Sequence, residues 1–200
     1  MRADVVIIGG GITGTAIARE LSRYDLDVVL VEKEADIAFG GSTKANTGII
    51  HAGYDDIPGT LKARLCPQGN ALWPELASEL DVPFRRIGSL VVALKEEEVR
   101  ALKELKERGE RNGVPGLEII DDRERLLEME PSLNRGAIAA LYAPTAGIAS
   151  PYEMAIALAE NAERNGVRAL LGTRVTDIVV KDGEVKGVLT DEGPIGAGCV

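Results

Sequence analysis

Cysteine and histidine are nearly missing from this chain, which has two of the first and one of the second in 200 residues. Cys66 and Cys199 stand far apart, in no CxxC or metal-type spacing. That argues against a disulfide framework and against a protein-ligated metal site, and it fits a reducing, cytoplasmic setting. Long apolar runs are missing too. None reaches the ~18–20 residues of a membrane span. The apolar N-terminus is short and broken by glycine, so it reads as a first strand and not as a signal sequence. Peripheral contact with a membrane through segments outside this sequence stays open. Excess positive charge is likewise absent. A formal net charge of −9 argues against nucleic acid, whose binding needs clustered cations. A small anionic substrate is not excluded, because a local field can oppose the global one. Lys44, Lys62, Arg64, Arg85 and Arg86 are candidates for such a field, although scattered solvated cations would look the same. There is no internal repeat and no low-complexity segment. Hydrophobic content of 45% and charged content of 28% fit one ordinary globular domain, or a domain with a small insertion.

Against these absences, residues 5–14 stand out: Val-Val-Ile-Ile-Gly-Gly-Gly-Ile-Thr-Gly. The run Val5 to Ile8 reads as a buried strand, and a helix follows through Ala16, Ile17, Ala18 and Leu21. The spacing Gly9-x-Gly11-x-x-Gly14 divides three tasks between them. Gly9 permits the tight turn, Gly11 lets a pyrophosphate approach the backbone, and Gly14 lets the helix pack closely on the sheet. The helix start offers unpaired N–H groups and the positive end of its dipole to phosphates. A second apolar run, Asp27-Val-Val-Leu-Val-Glu32, ends in a carboxylate that can accept both ribose hydroxyls of an adenosine. Strand, helix, strand and acid in register point to a dinucleotide site. Glu32 would repel a 2′-phosphate, which disfavours NADP. The fingerprint alone does not choose between NAD and FAD.

Residues 41–54 read Gly-Ser-Thr-Lys-Ala-Asn-Thr-Gly-Ile-Ile-His-Ala-Gly-Tyr, small and hydroxylated as suits a segment beside a ligand. Ser42, Thr43 and Asn46 can hydrogen-bond phosphate or ribityl oxygens, and Gly48 allows backbone to approach a flat ring. His51 follows. An unperturbed imidazole titrates near neutrality, as a proton acceptor should. A histidine satisfied by a backbone carbonyl would fit the same position.

The remaining pattern divides the chain. Residues 1–80 and 150–200 read as a discontinuous nucleotide-binding domain, and 81–149 as part of a substrate-covering domain. A helical stretch near Leu61 to Leu80 is expected to be interrupted by Pro67 and Pro74, each of which removes a backbone donor. Ser89 to Leu94 reads as a strand. A charged surface helix follows from Glu96 to about Arg111, with a narrow stripe of Val99, Leu102 and Leu105. Leu117 to Ile120 reads as a further strand, Arg123 to Glu130 as a short helix, and Ala137 to Ile148 as extended chain. Ser150-Pro151-Tyr152-Glu153 is a helix start with a capping box. Asn165-Gly166 ends that helix, and Val167 to Leu171 returns to the sheet. Thr173 to Thr190 alternates around Asp182-Gly183 as a hairpin. Ile195 to Val200 is another strand-like run.

The motifs Gly-Gly-Gly-Ile-Thr-Gly, Val-Glu-Lys-Glu and Ser-Thr-Lys-Ala-Asn-Thr-Gly-Ile-Ile-His-Ala-Gly-Tyr together resemble FAD-dependent oxidoreductases of the D-amino-acid-oxidase superfamily. The likeness is strongest to the glycerol-3-phosphate dehydrogenases and oxidases. It continues through Pro58 to Leu65, Val82 to Val92 and Thr145 to Glu153. L-2-hydroxyglutarate dehydrogenases are similar from Asn46 to Cys66, while Tyr142 to Glu153 looks more like the glycerol-phosphate branch. The resemblance implies an α/β fold in which a Rossmann-like FAD-binding domain is interrupted by part of an α+β substrate domain. It implies that Gly9, Gly11, Ile12, Thr13 and Gly14 hold the pyrophosphate and that Glu32, with Lys33 nearby, binds the adenosine ribose. Ser42, Thr43, Asn46, Thr47 and Gly48 would line the rest of FAD, and backbone at Val175 would meet the adenine. His51 would accept the hydroxyl proton of sn-glycerol 3-phosphate as it becomes dihydroxyacetone phosphate. A 2-hydroxyacid or amine substrate on the same scaffold, and a non-catalytic nucleotide-binding module, are the alternatives. The electron acceptor (oxygen, a quinone or an iron–sulfur partner) is not legible. The likeness further implies an N-terminal portion of a longer enzyme, which on its own would bind FAD poorly and turn over nothing.

Overall fold

The computed structural model describes residues 1–200. In chain order the elements begin with β1 (Val5–Ile8), α1 (Ile12–Leu21), β2 (Val28–Val31), β3 (Ile49–Ile50) and α2 (Leu61–Glu79). There follow β4 (Phe84–Arg85), β5 (Ser89–Ala93), α3 (Glu96–Arg111), β6 (Glu118–Ile120), α4 (Arg123–Met129) and β7 (Ala139–Ala143). The chain continues with β8 (Gly147–Ala149), α5 (Pro151–Arg164), β9 (Arg168–Leu170), β10 (Val175–Lys181), β11 (Glu184–Thr190) and β12 (Gly193–Gly196). No helix is long and apolar enough to cross a membrane.

Two compact units form. One comprises Met1–Thr47, Ala77–Val82 and Ser150–Val200, the other Gly48–Leu76 and Pro83–Ala149. The sequence pattern drew its first boundary at residue 80. In the structure the chain enters the second unit at Gly48, because β3 pairs with β8 of that unit and not with the nucleotide-type sheet.

The first unit is built on a parallel sheet in the order β1-β2-β9. Period-two alternation buries β2 on both faces. Val28 and Leu30 join Ile7 and Ala18 in one core cluster with Ala155, Ala159 and Ala162 of α5. Val29 and Val31 join Val6 in a second, with Val188, Ile195 and Ala197. Each fully buried Val or Leu here is worth roughly 1.5–3 kcal/mol. The start of α5 is fixed by the Ser150 hydroxyl, which accepts from the amide of Glu153 at 3.2 Å, with proline in the first turn. Asn165 caps its end and Gly166 follows at φ +99°. The hairpin β10-β11 turns through Asp182 (φ +54°) and Gly183 (φ +79°), both left-handed as a tight two-residue turn requires. The final run divides: β12 pairs with β11, and Cys199 then bridges in parallel to Val5 at the edge of β1.

The second unit holds an antiparallel sheet β5-β7-β6. Alternate residues of its central strand serve two clusters. Ala139, Leu141 and Ala143 pack with Leu102, Val99 and Leu105 of α3. Ala140 and Tyr142 pack with Leu126 of α4. A smaller sheet, β3-β8-β4, is antiparallel throughout.

One expectation is corrected. Pro67 and Pro74 do not interrupt α2, which runs unbroken from Leu61 to Glu79 with both prolines inside it. Pro74 lacks the amide that would bond the carbonyl of Asn70, and the Arg86 guanidinium (Nη2) donates to that carbonyl instead, at 3.2 Å. A side chain from outside the helix replaces the lost backbone donor.

Candidate functional site

The glycine turn between β1 and α1 has the geometry its spacing predicts. Gly9 lies at φ +103°, in the left-handed region, and a β-carbon there would meet nothing within 4 Å. A β-carbon on Gly14 would lie 2.0 Å from the carbonyl oxygen of Gly9, so α1 approaches the turn as closely as the absence of a side chain allows. Gly11 is the N-cap, extended at φ −78° and ψ 178°. The first-turn amides of Ile12, Thr13 and Gly14 have no carbonyl of their own helix to bond. Thr43, from a segment 31 residues away, supplies one acceptor: its hydroxyl oxygen accepts from the amide of Ile12 at 3.0 Å. The first turn of α1 carries no acidic residue, which leaves the positive end of the dipole for an external anion.

Glu32 directly follows β2. Its Oε2 accepts from the amide of Gly10 at 2.6 Å and its Oε1 from that of Glu34 at 2.9 Å. Both oxygens are therefore oriented by backbone, and each keeps a lone pair for a further donor such as a ribose hydroxyl. The Asn46 amide nitrogen donates to the carbonyls of Ser42 (3.0 Å) and Thr43 (2.8 Å), which folds residues 42–46 into a compact turn. Thr43 is buried; Thr13, Ser42 and Thr47 are exposed. Gly9 to Gly14, Glu32 and Thr43 are thus drawn together by direct bonds. Lys33 is not part of that group and pairs with Glu34 at 3.6 Å. Val175 heads β10 opposite Thr190, its side chain packed against the Val188 and Ile195 cluster. These residues fit a dinucleotide: a glycine turn that α1 approaches closely, a helix start without acid, and an oriented carboxylate at the end of the neighbouring strand.

Gly48 and His51 belong to the second unit. Gly48 takes φ +69°, and its carbonyl accepts from the amide of Ala149. His51 follows β3 and is exposed. Its backbone carbonyl accepts from the side-chain amide of Asn70 at 2.9 Å and from the Cys66 thiol at 3.6 Å. Of the five candidate cations, three are engaged. Lys62 binds Asp56 at 2.7 Å, Lys44 lies 4.5 Å from the centroid of the Phe39 ring, and Arg86 bonds Asn70. The hydrogen bond that Lys62 donates to Asp56, and the charge of that carboxylate, hold the Lys62 ammonium above its ordinary range. Burial, then the nearby Asp56 and Asp55, push the Cys66 thiol up, which makes it a poor nucleophile. Asn70 escaped the sequence reading. Its only signal was a polar residue inside a helix, four positions before a proline.

A parallel sheet with a glycine-lined helix start and an acid closing the second strand defines a nucleotide-binding α/β protein. Residues 4–200 match the FAD dependent oxidoreductase family, and the chain belongs to it. It is 52% identical over 179 residues to glycerol 3-phosphate dehydrogenase of Caloramator mitchellensis, covering 90% of this chain and 37% of that protein. It is 41% identical over 147 residues to the mitochondrial L-2-hydroxyglutarate dehydrogenase of Dictyostelium discoideum, covering 72% and 32%. The structure superposes on dithionite-reduced L-alpha-glycerophosphate oxidase of Mycoplasma pneumoniae with FAD bound at a TM-score of 0.89 and 33% identity, covering 99% of this chain and 53% of that one. The chain thus spans about half that solved structure and about a third of the two relatives.

Proposed function

We propose that the protein carrying this chain oxidises sn-glycerol 3-phosphate to dihydroxyacetone phosphate. Bound FAD would supply the hydride acceptor. Gly9, Gly11, Ile12, Thr13 and Gly14 hold its pyrophosphate at the start of α1, and Glu32 binds the adenosine ribose. Ser42, Thr43, Asn46, Thr47 and Gly48 line the remainder, with Lys33 and the backbone at Val175 toward the adenosine end. His51, an exposed residue, takes the hydroxyl proton of the substrate. Residues 1–80 and 150–200 are assigned to the cofactor and residues 81–149 to the substrate. The observation that carries the substrate assignment is the 52% identity to a glycerol 3-phosphate dehydrogenase.

The 41% identity to an L-2-hydroxyglutarate dehydrogenase supports a second reading, a 2-hydroxyacid on the same scaffold. Anaerobic visible spectroscopy of the FAD-loaded enzyme, with each compound added separately, separates the two. Bleaching of the flavin band by glycerol 3-phosphate alone is the expected result. Bleaching by L-2-hydroxyglutarate alone would replace the substrate and keep the chemistry. A band that neither compound bleaches would overturn both readings and favour a nucleotide-binding role without redox work.

A further inference from the structure

We propose that Asn70, held by Arg86, is a positioning residue for His51, a role that rests on the reading of His51 as the proton acceptor. The topology makes the arrangement possible. Because β3 and β4 both run antiparallel to β8, the ends of β3 and β4 meet the beginning of β8. His51, Arg86 and Thr145 lie just beyond those three strand ends, and Asn70 of α2 is inserted where they converge.

Asn70 is 5% exposed, and both its amide donors and its amide oxygen are engaged. Its Nδ2 donates to the carbonyls of His51 and Thr145, each at 2.9 Å. Its Oδ1 accepts from Arg86 Nη1 at 2.9 Å. The orientation of the amide is unambiguous, since carbonyls only accept and a guanidinium only donates. Arg86 is itself fixed by further bonds to the carbonyls of Thr145 and, through Nη2, of Asn70. The guanidinium fork therefore sets the amide, and the amide sets the main chain from which the imidazole projects. Residues 49–50 contribute only two ladder positions to β3, too short a strand to define the path beyond Ile50 by itself. A polar side chain so deeply buried, with each group matched to a separate loop, specifies one arrangement of those loops.

A side-chain base acts only within hydrogen-bond reach of its proton, and a displacement of about 1 Å costs on the order of 100-fold in rate. Removing the Nδ2 donors should therefore act through His51 and leave FAD binding alone. The test is a double-mutant cycle on the FAD-loaded enzyme with Asn70→Ala, His51→Gln and the pair. The readout is the limiting rate of flavin reduction per bound flavin at saturating substrate. Asn70→Ala is expected to slow reduction about 10- to 100-fold with FAD affinity unchanged, and to add nothing once His51 is Gln. The imidazole NMR resonance that His51→Gln removes should also shift or broaden in Asn70→Ala. If His51→Gln is silent, the base reading falls and this proposal falls with it. If His51→Gln is severe but Asn70→Ala is silent, or the two effects multiply, only the positioning role is overturned. Should Asn70→Ala yield no folded flavoprotein, Arg86→Lys keeps the charge but loses the fork, and the same cycle applies with the same outcomes.

Discussion

The carbonyl oxygen of Gly9 stands 2.0 Å from the point a β-carbon on Gly14 would occupy. Alanine is ordinarily better than glycine inside a helix by about 1 kcal/mol. Here the obstacle is backbone and cannot rotate away, so overpacking of about 1–3 kcal/mol outweighs that gain. Gly14→Ala is expected to lower the urea midpoint and to weaken FAD retention, because α1 must retreat from the turn. At Gly11 the nearest atom is the side-chain oxygen of Thr43, at 3.0 Å. Gly11→Ala should therefore cost less stability than Gly14→Ala, and equal losses would contradict this account.

Glu32 ties the turn to β2 through the amide of Gly10. Glu32→Gln retains an acceptor for that amide but loses its charge, whereas Glu32→Ala leaves the amide without one. Hydrogen bonds to charged groups contribute about 1.5–3 kcal/mol. FAD dissociation constants, measured by quenching of flavin fluorescence, should thus rise about 10- to 100-fold in Glu32→Ala. Glu32→Gln should fall between that and the parent. An Ala variant that binds FAD like the parent would remove Glu32 from the site.

The second unit carries a pH-dependent tie. Arg125 of α4 donates to both carboxylate oxygens of Glu118 of β6, at 2.6 and 2.8 Å. That fork holds the Glu118 carboxyl below its ordinary 4.5. A carboxyl depressed in the folded state adds stability above its unfolded value, and that stability is lost as pH falls through the folded value. The pair is exposed and screened, so its effect is small. The stability difference between parent and Arg125→Gln, from urea midpoints, should hold steady from neutrality to about pH 4.5 and shrink below it. A difference that persists undiminished to about pH 3 would show that the fork is not its source.

What the sequence disclosed was what is local. The turn at Gly9, the close approach at Gly14, the Ser150 cap and the Asp182-Gly183 turn each depend on residues within a few positions of one another. The alternation of Val28 to Val31 likewise needs no knowledge of partners. The reading ran out where partners are distant. Nothing near Thr43 reveals that it caps a helix 31 residues upstream. Nothing near Asn70 reveals that it joins His51 to a turn 75 residues further on. The continuity of α2 through Pro74 is not legible for the same reason, since the donor that replaces the Pro74 amide comes from another strand end.

That replacement is itself testable. Arg86→Ala leaves the carbonyl of Asn70, its Oδ1 and the carbonyl of Thr145 without their guanidinium donors. Such losses cost about 1–3 kcal/mol for each group left buried and unpaired. Pro74→Ala restores an amide four residues after Asn70, where an α-helix would use it. The cost of Arg86→Ala should therefore be smaller in a Pro74→Ala background than in the parent, and the difference read from urea midpoints is the coupling between the two positions. The rescue should be partial, because the restored amide reaches only the carbonyl of Asn70 and not its side chain or Thr145. Strict additivity would mean that Arg86 holds the loop ends alone and that α2 tolerates Pro74 for another reason.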